Sequence, residues 1–304
     1  MSRLTTRISA LATVVGVLVV AGVTVTATGA TDDPPKRFAD GSCGETAVRL
    51  GLVLPAGDTV GRRAATDLGD TLGDLLACPV RVIVRERQED LVTDLALQRI
   101  DVAQFDPAAL VVADRVASVN TAGAYATGLD IPARGARSQI WVRRGDGARR
   151  LRDLKGRRLA LGPRLTLGGD VEPRTALLAA GLRPGTDVRT VRTATDEEAL
   201  EALDDGRVDA AVTSGPAWTR TGGPRRLWMS QPRLADVLAM RTGLPRAVRR
   251  LILASVRTLP ARVLAPFAAR QGVAHPTPLV SVPLDLYGPV SDQIDTLTAA
   301  GLEP

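Results

Sequence analysis

Short apolar runs alternate along the chain with stretches in which apolar residues return every third or fourth position. Residues 47–54 (AVRLGLVL) form such a run, closed by Pro55-Ala56-Gly57-Asp58-Thr59. The spacing of Ala65, Leu68, Leu72 and Leu75 then predicts a helix over residues 60–76. Residues 80–84 (VRVIV) predict a second strand, 89–99 a helix, 101–104 a third strand, and 106–115 a helix opening on Asp106-Pro107. Strands alternating with helices imply a parallel sheet flanked by helices, a doubly wound α/β lobe.

After Ile131-Pro132 the pattern restarts. Residues 139–142, 158–161, 188–192 and 208–212 predict strands, and 151–154, 172–180 and 197–203 predict helices, which makes a second α/β lobe. The chain then returns through 226–229 and predicts helices over 245–258, around 263–269, and over 289–300. These helices have no sheet of their own to cover, so they are expected to pack back on the first lobe. The expected division is residues 44–136 plus 226–304 for lobe 1 and 137–225 for lobe 2, with two crossings acting as a hinge.

Composition narrows this picture. A chain of 304 residues, 45% of them hydrophobic, can bury two cores, but with 3% aromatic residues those cores must rest on Leu, Val and Ala. Any pocket must then rely on backbone and small polar groups. The net charge of +6 comes almost wholly from arginine, Lys36 and Lys155 being the only lysines. No helix carries a continuous basic stripe, so nucleic acid is not an expected partner.

Residues 1–30 open with Arg3 and Arg7 and continue into an apolar run over 8–25, the pattern of a secretory signal with Thr28 and Ala30 ahead of a cleavage at Thr31. The run also reaches the lower limit for a membrane span, so an uncleaved N-terminal anchor is the alternative. No cysteine lies at the end of the run, so lipid attachment is not expected. Residues 31–43 read as a polar tether. In an exported chain Cys43 and Cys78 are expected to form a disulfide, the alternative being a surface thiol and a buried small residue. Each precedes a strand, which puts both sulfurs at the N-terminal edge of the sheet, opposite the edge where ligands bind.

The sequence resembles the phosphate, phosphite and phosphonate solute-binding proteins of ABC transporters, a branch of the type 2 periplasmic-binding fold. The resemblance runs from about Val48 to the C-terminus. It rests on Arg49-Leu50-Gly51-Leu52-Val53, on Arg99-Ile100-Asp101-Val102-Ala103 followed by Asp106-Pro107-Ala108-Ala109, and on 151–158 (LRDLKGRR). It continues in Pro173-Arg174, in Asp205-Gly206-Arg207-Val208-Asp209-Ala210, in Leu244-Pro245, and in Tyr287-Gly288-Pro289-Val290. What it implies is a two-lobed α/β protein, each lobe a mostly parallel sheet flanked by helices, with a ligand cleft at the hinge. It also implies a small anionic ligand, phosphate or phosphonate transport, and an ABC permease or another membrane partner. The chain is expected to be an extracytoplasmic monomer.

In that family a lobe-2 loop carries small hydroxyl residues and a glycine that grip the phosphorus oxygens. Alignment on Gly169 and Pro173-Arg174 puts Thr166, Leu167 and Gly168 there, leaving one hydroxyl and the amides of Gly168 and Gly169. Leu110 stands where the family frequently has a tyrosine, which points to a smaller or more apolar ligand. Asp106 is a ligand candidate or a helix N-cap. Thr59 is a ligand candidate, with a cap role for Asp58 or Thr59 as the alternative. Ser138, at the crossing strand, and Thr213 and Ser214, at a strand end, are further ligand candidates, the last two also fitting a turn before Gly215-Pro216. Asp170 and Glu172 suit the first turn of a helix. His275 reads as a surface residue, and Trp141, Trp218 and Trp228 as packing.

No catalytic residue, cofactor or metal is expected. One histidine without a Gly-x-Ser-x-Gly elbow offers no triad, and two bridged cysteines offer no metal cluster. Two functions stay open: capture of a phosphorus oxyanion for an ABC importer, or a membrane-tethered sensory or partner-binding receptor that has lost phosphonate specificity.

Overall fold

A computed structural model of the chain describes residue 43 and residues 46–127, 132–215 and 223–303. The signal and anchor readings, residues 31–42 of the tether, and Trp218 lie outside these.

In the first lobe, β1 (Val48–Val53) pairs in parallel with β2 (Val80–Arg85) on one side and with β3 (Val102–Phe105) on the other. β10 (Val237–Arg241) inserts antiparallel between β3 and β4 (Val119–Ala126), and β11 (Thr277–Val280) adds an antiparallel edge. The strand order is β11-β4-β10-β3-β1-β2. Helices α1 (Thr59–Leu76), α6 (Arg246–Arg257) and α7 (Ala261–Arg270) bury one face of this sheet. Helices α2 (Gln88–Ala96), α3 (Pro107–Ala117) and α8 (Gly288–Ala299) bury the other.

The second sheet has the order β7-β6-β8-β5-β9, built from β5 (Gln139–Val142), β6 (Arg158–Leu161), β7 (Arg189–Arg192), β8 (Ala210–Thr213) and β9 (Arg225–Met229). The short turn of helix Leu151–Leu154 and α4 (Glu172–Ala179) pack on one face, and α5 (Asp196–Asp204) on the other.

Three features differ from the sequence reading. Residues 226–229 were expected to belong to the first lobe, but β9 pairs antiparallel with β5 as an edge of the second sheet. Both sheets are mixed: parallel pairing is confined to β2-β1-β3 and to β7-β6-β8, because the chain crosses between lobes on strands that run back. The last third of the chain is not all helix, since it supplies β10 to the middle of the first sheet and β11 to its edge.

Cys43 and Cys78 form a disulfide with Cα atoms 5.6 Å apart, just ahead of the paired starts of β1 and β2. A second device recurs in both lobes. Asp101, fully buried just before β3, accepts from the Arg49 backbone N–H at 3.0 Å and from its Nε at 2.9 Å, and also pairs with Arg241. Asp209, just before β8, accepts from the Arg158 backbone N–H at 2.9 Å and from its Nε at 3.1 Å. Burial pushes the Asp101 carboxyl up, but Arg49 and Arg241 outweigh it and hold it below the usual carboxylate range. The Arg158 guanidinium holds Asp209 far below that range.

Candidate functional site

Two helix starts face each other across the lobes. In the first lobe β3 ends at Phe105, and Asp106-Pro107 opens α3, with proline at a position where its missing N–H costs nothing. In the second, β6 ends at Leu161 and the chain enters a π-helical turn, Leu167–Val171, that runs on into α4. Asp106 lies where they converge. Its Oδ1 accepts from the Ala108 N–H at 2.8 Å and from the Leu167 N–H at 2.7 Å.

The turn is packed too closely for side chains at its glycines. A Cβ at Gly168 would lie 2.9 Å from the Nη1 of Arg233, and one at Gly169 would lie 2.6 Å from the Oγ1 of Thr166. Ser138 donates its hydroxyl to the Gly168 carbonyl at 2.6 Å, and its own N–H reaches the Ser230 hydroxyl at 3.0 Å. Arg233 donates Nη2 to the Ser214 carbonyl at 2.7 Å, while its Nη1 is buried with no partner. Asp196 opens α5 and accepts from the Ser214 and Gly215 amides at 2.9 and 2.7 Å.

Around Arg233 the acids are raised. Burial pushes the carboxyl of Glu172 up to about 7 against the pull of Arg233. Burial likewise raises Asp106, opposed by Arg233 and by the Ala108 and Leu167 amides. Asp236 is raised by burial and by the nearby Asp106, although Gln104 Nε2 donates to it at 3.0 Å. Asp196 is raised by burial too. Tyr125 donates its hydroxyl to Gln104 Oε1 at 2.9 Å and so extends this polar chain into the first lobe. Glu172 Oε2 and the hydroxyl of Tyr287 are buried without a partner, as is Arg233 Nη1. Buried polar atoms are normally satisfied, so these three orphans make the region a candidate place for a small polar solute.

The structure brings Asp106, Ser138, Thr166, Gly168, Gly169 and Ser214 into this region. Thr166 spends its hydroxyl on the Pro163 carbonyl at 2.7 Å. Thr213 is buried in the second lobe and accepts from Trp141 Nε1 at 2.9 Å. Thr59 is exposed at the start of α1, whose cap is Asp58, accepting from the Gly61 N–H at 2.8 Å. Leu110 is fully buried in the apolar core. Asp170, beneath the turn, pairs with Arg192 at 2.7 Å and Arg174 at 3.3 Å. His275 is exposed in a loop with φ 53°. Sequence reasoning missed Arg233 and Asp236 and gave Glu172 only a dipole role. The available signal was their position at a helix start and along the returning crossing.

A family model described as the periplasmic substrate-binding protein of an ABC phosphonate transporter matches residues 53–274. Among solved structures, PhnD1 from Prochlorococcus marinus in complex with methylphosphonate is 15% identical, with 83% of this chain and 98% of that one covered and a TM-score of 0.67. The binding-protein component of an ABC phosphonate transporter from Pseudomonas aeruginosa is 14% identical, covering 81% and 85%, with a TM-score of 0.65. The aliphatic sulphonate binding protein SsuA from Escherichia coli is 17% identical, covering 85% and 94%, with a TM-score of 0.51. These likenesses establish a common fold. No protein of curated function matches the sequence.

Proposed function

The chain belongs to the periplasmic substrate-binding proteins of ABC phosphonate transporters, and from that premise we propose that it captures a small phosphorus oxyanion between its lobes. The family binds its solute without transforming it and works outside the cytoplasm. The observation that carries the ligand reading is Arg233 Nη1, buried and unpartnered beside Gly168 at the start of the second lobe's helix. A guanidinium next to first-turn amides suits an oxyanion. The flanking carboxyls of Asp106, Glu172 and Asp236 favour a solute that also carries a proton donor or a positive charge. Delivery to an ABC permease follows from the family role.

Thermal unfolding of the purified protein with phosphate, phosphite, methylphosphonate and sulfate tests this reading. A solute that binds only the folded state at a hundred times its Kd adds about 2.7 kcal/mol of stability. The expected result is a raised midpoint with a phosphorus oxyanion and no rise in Arg233→Gln. No rise with any of them in the unaltered protein overturns the oxyanion reading and favours a partner-binding receptor.

A further inference from the structure

Asp106 does more than cap its own helix. The oxygen that accepts from Ala108 in α3 also accepts from Leu167 in the other lobe, at 2.7 Å. The Leu167 amide stands in the first turn of a helical segment continuous with α4, where no earlier turn supplies an acceptor and the dipole favours negative charge. A carboxyl oxygen of the first lobe therefore sits at a point of the second lobe suited to an anion. The surroundings are dry: Leu165, Leu167 and Val171 are buried in one apolar cluster with Leu110 and Tyr287 of the first lobe. A hydrogen bond held in such a medium is stronger than one in water.

We propose that Asp106 is the protein's own occupant of this seat and a specificity-determining residue. It bridges the lobes through the Leu167 amide, and an entering oxyanion gains that amide only by displacing it. The latch stands independently of the ligand; the competition rests on the oxyanion reading above. Arg233 attracts an oxyanion to the region, whereas Asp106, Glu172 and Asp236, raised as they are by burial, repel a doubly charged one wherever the pH is high enough to ionise them. Selection thus runs against dianionic heads and toward singly charged ones.

Two substitutions separate the roles. Asp106→Ser keeps a good N-cap for α3 but is too short to reach the other lobe, and Asp106→Asn keeps the acceptor oxygen while removing the charge. Amide hydrogen exchange of the full chain, read by mass spectrometry without solute, follows the segment 165–171. In the unaltered protein this segment should exchange slowly. Asp106→Ser should speed it about tenfold, as loss of one buried hydrogen bond between the lobes requires, while Asp106→Asn stays within about twofold of the unaltered protein. Exchange over β1 reports that the variants are folded. Methylphosphonate affinity should rise about tenfold in Asp106→Ser, since the competing group is gone.

An unchanged rate over 165–171 in a folded Asp106→Ser overturns the latch, even if methylphosphonate binds. So does a segment that exchanges as fast as free peptide in the unaltered protein, a result that needs no variant to fold. Faster exchange in Asp106→Ser with no oxyanion bound by either protein leaves the latch standing and overturns the oxyanion reading.

Discussion

At Gly169 an added methyl group meets the Thr166 hydroxyl oxygen at 2.6 Å and the Gly162 Cα at 3.2 Å. The hydroxyl cannot swing away freely, because it donates to the Pro163 carbonyl at 2.7 Å. Gly169→Ala should therefore cost about 1–3 kcal/mol, the usual range for overpacking, measured by thermal or denaturant unfolding. Thr166→Ala in the same chain removes the clashing atom, so the double variant should lose less than the sum of the two single losses. Additive losses would place the strain elsewhere in the turn. Residues of this loop are legible in sequence through the family resemblance, because alignment on Gly169 and Pro173-Arg174 places Thr166, Leu167 and Gly168 there. Arg233, Glu172 and Asp236 are not, because nothing near them in sequence says whether a charge faces solvent or a closed cleft. Only the return of the chain between lobes decides that.

Strands and helices obey the same division between local and distant information. The first six elements are legible because each carries its own period and each boundary its own breaker, as with Asp106-Pro107 before α3. β4 is a run of small residues, with Gly123 against Leu279, and shows no alternation. β10 is short, and its partners β3 and β4 lie more than a hundred residues earlier, so its place in the middle of the sheet depends on tertiary pairing. The repeated arginine-aspartate clamp makes a quantitative comparison between lobes. In the first lobe Asp101 is wholly buried between Arg49, 18% exposed, and Arg241, 12% exposed. Asp101→Ala leaves two guanidinium groups without their partner and should cost about 3–5 kcal/mol. In the second, Arg158 is 41% exposed and Asp209 23%, so water replaces much of what is lost and Asp209→Ala should cost about 1 kcal/mol. Chemical denaturation of both variants checks the ratio, and equal losses would show that burial does not set the strength of the clamp.

For the whole molecule, the acids between the lobes set how stability responds to pH. Glu172 is pushed up to about 7, and Asp106, Asp196 and Asp236 are raised as well, all with burial as the main cause. A carboxyl whose pKa is higher folded than unfolded binds more protons in the native state between those two values. Stability then increases as pH falls through that interval. From pH 7.5 to about 5 the thermal midpoint should accordingly rise. Acids held low, chiefly Asp209 and Asp101, work in the opposite sense. Their partners are lost only as pH falls below the ordinary carboxylate range, so the midpoint should turn down below about 4. Opening the lobes would hydrate Asp106, Glu172 and Asp236 and return them toward ordinary values. A protein that rests open should thus show little change between pH 7.5 and 5, and a midpoint that falls steadily over that interval would contradict the closed, protonated cleft altogether. Glu172→Gln and Asp236→Asn, which replace the titrating groups with neutral ones, should flatten the rise while leaving the turn at low pH in place.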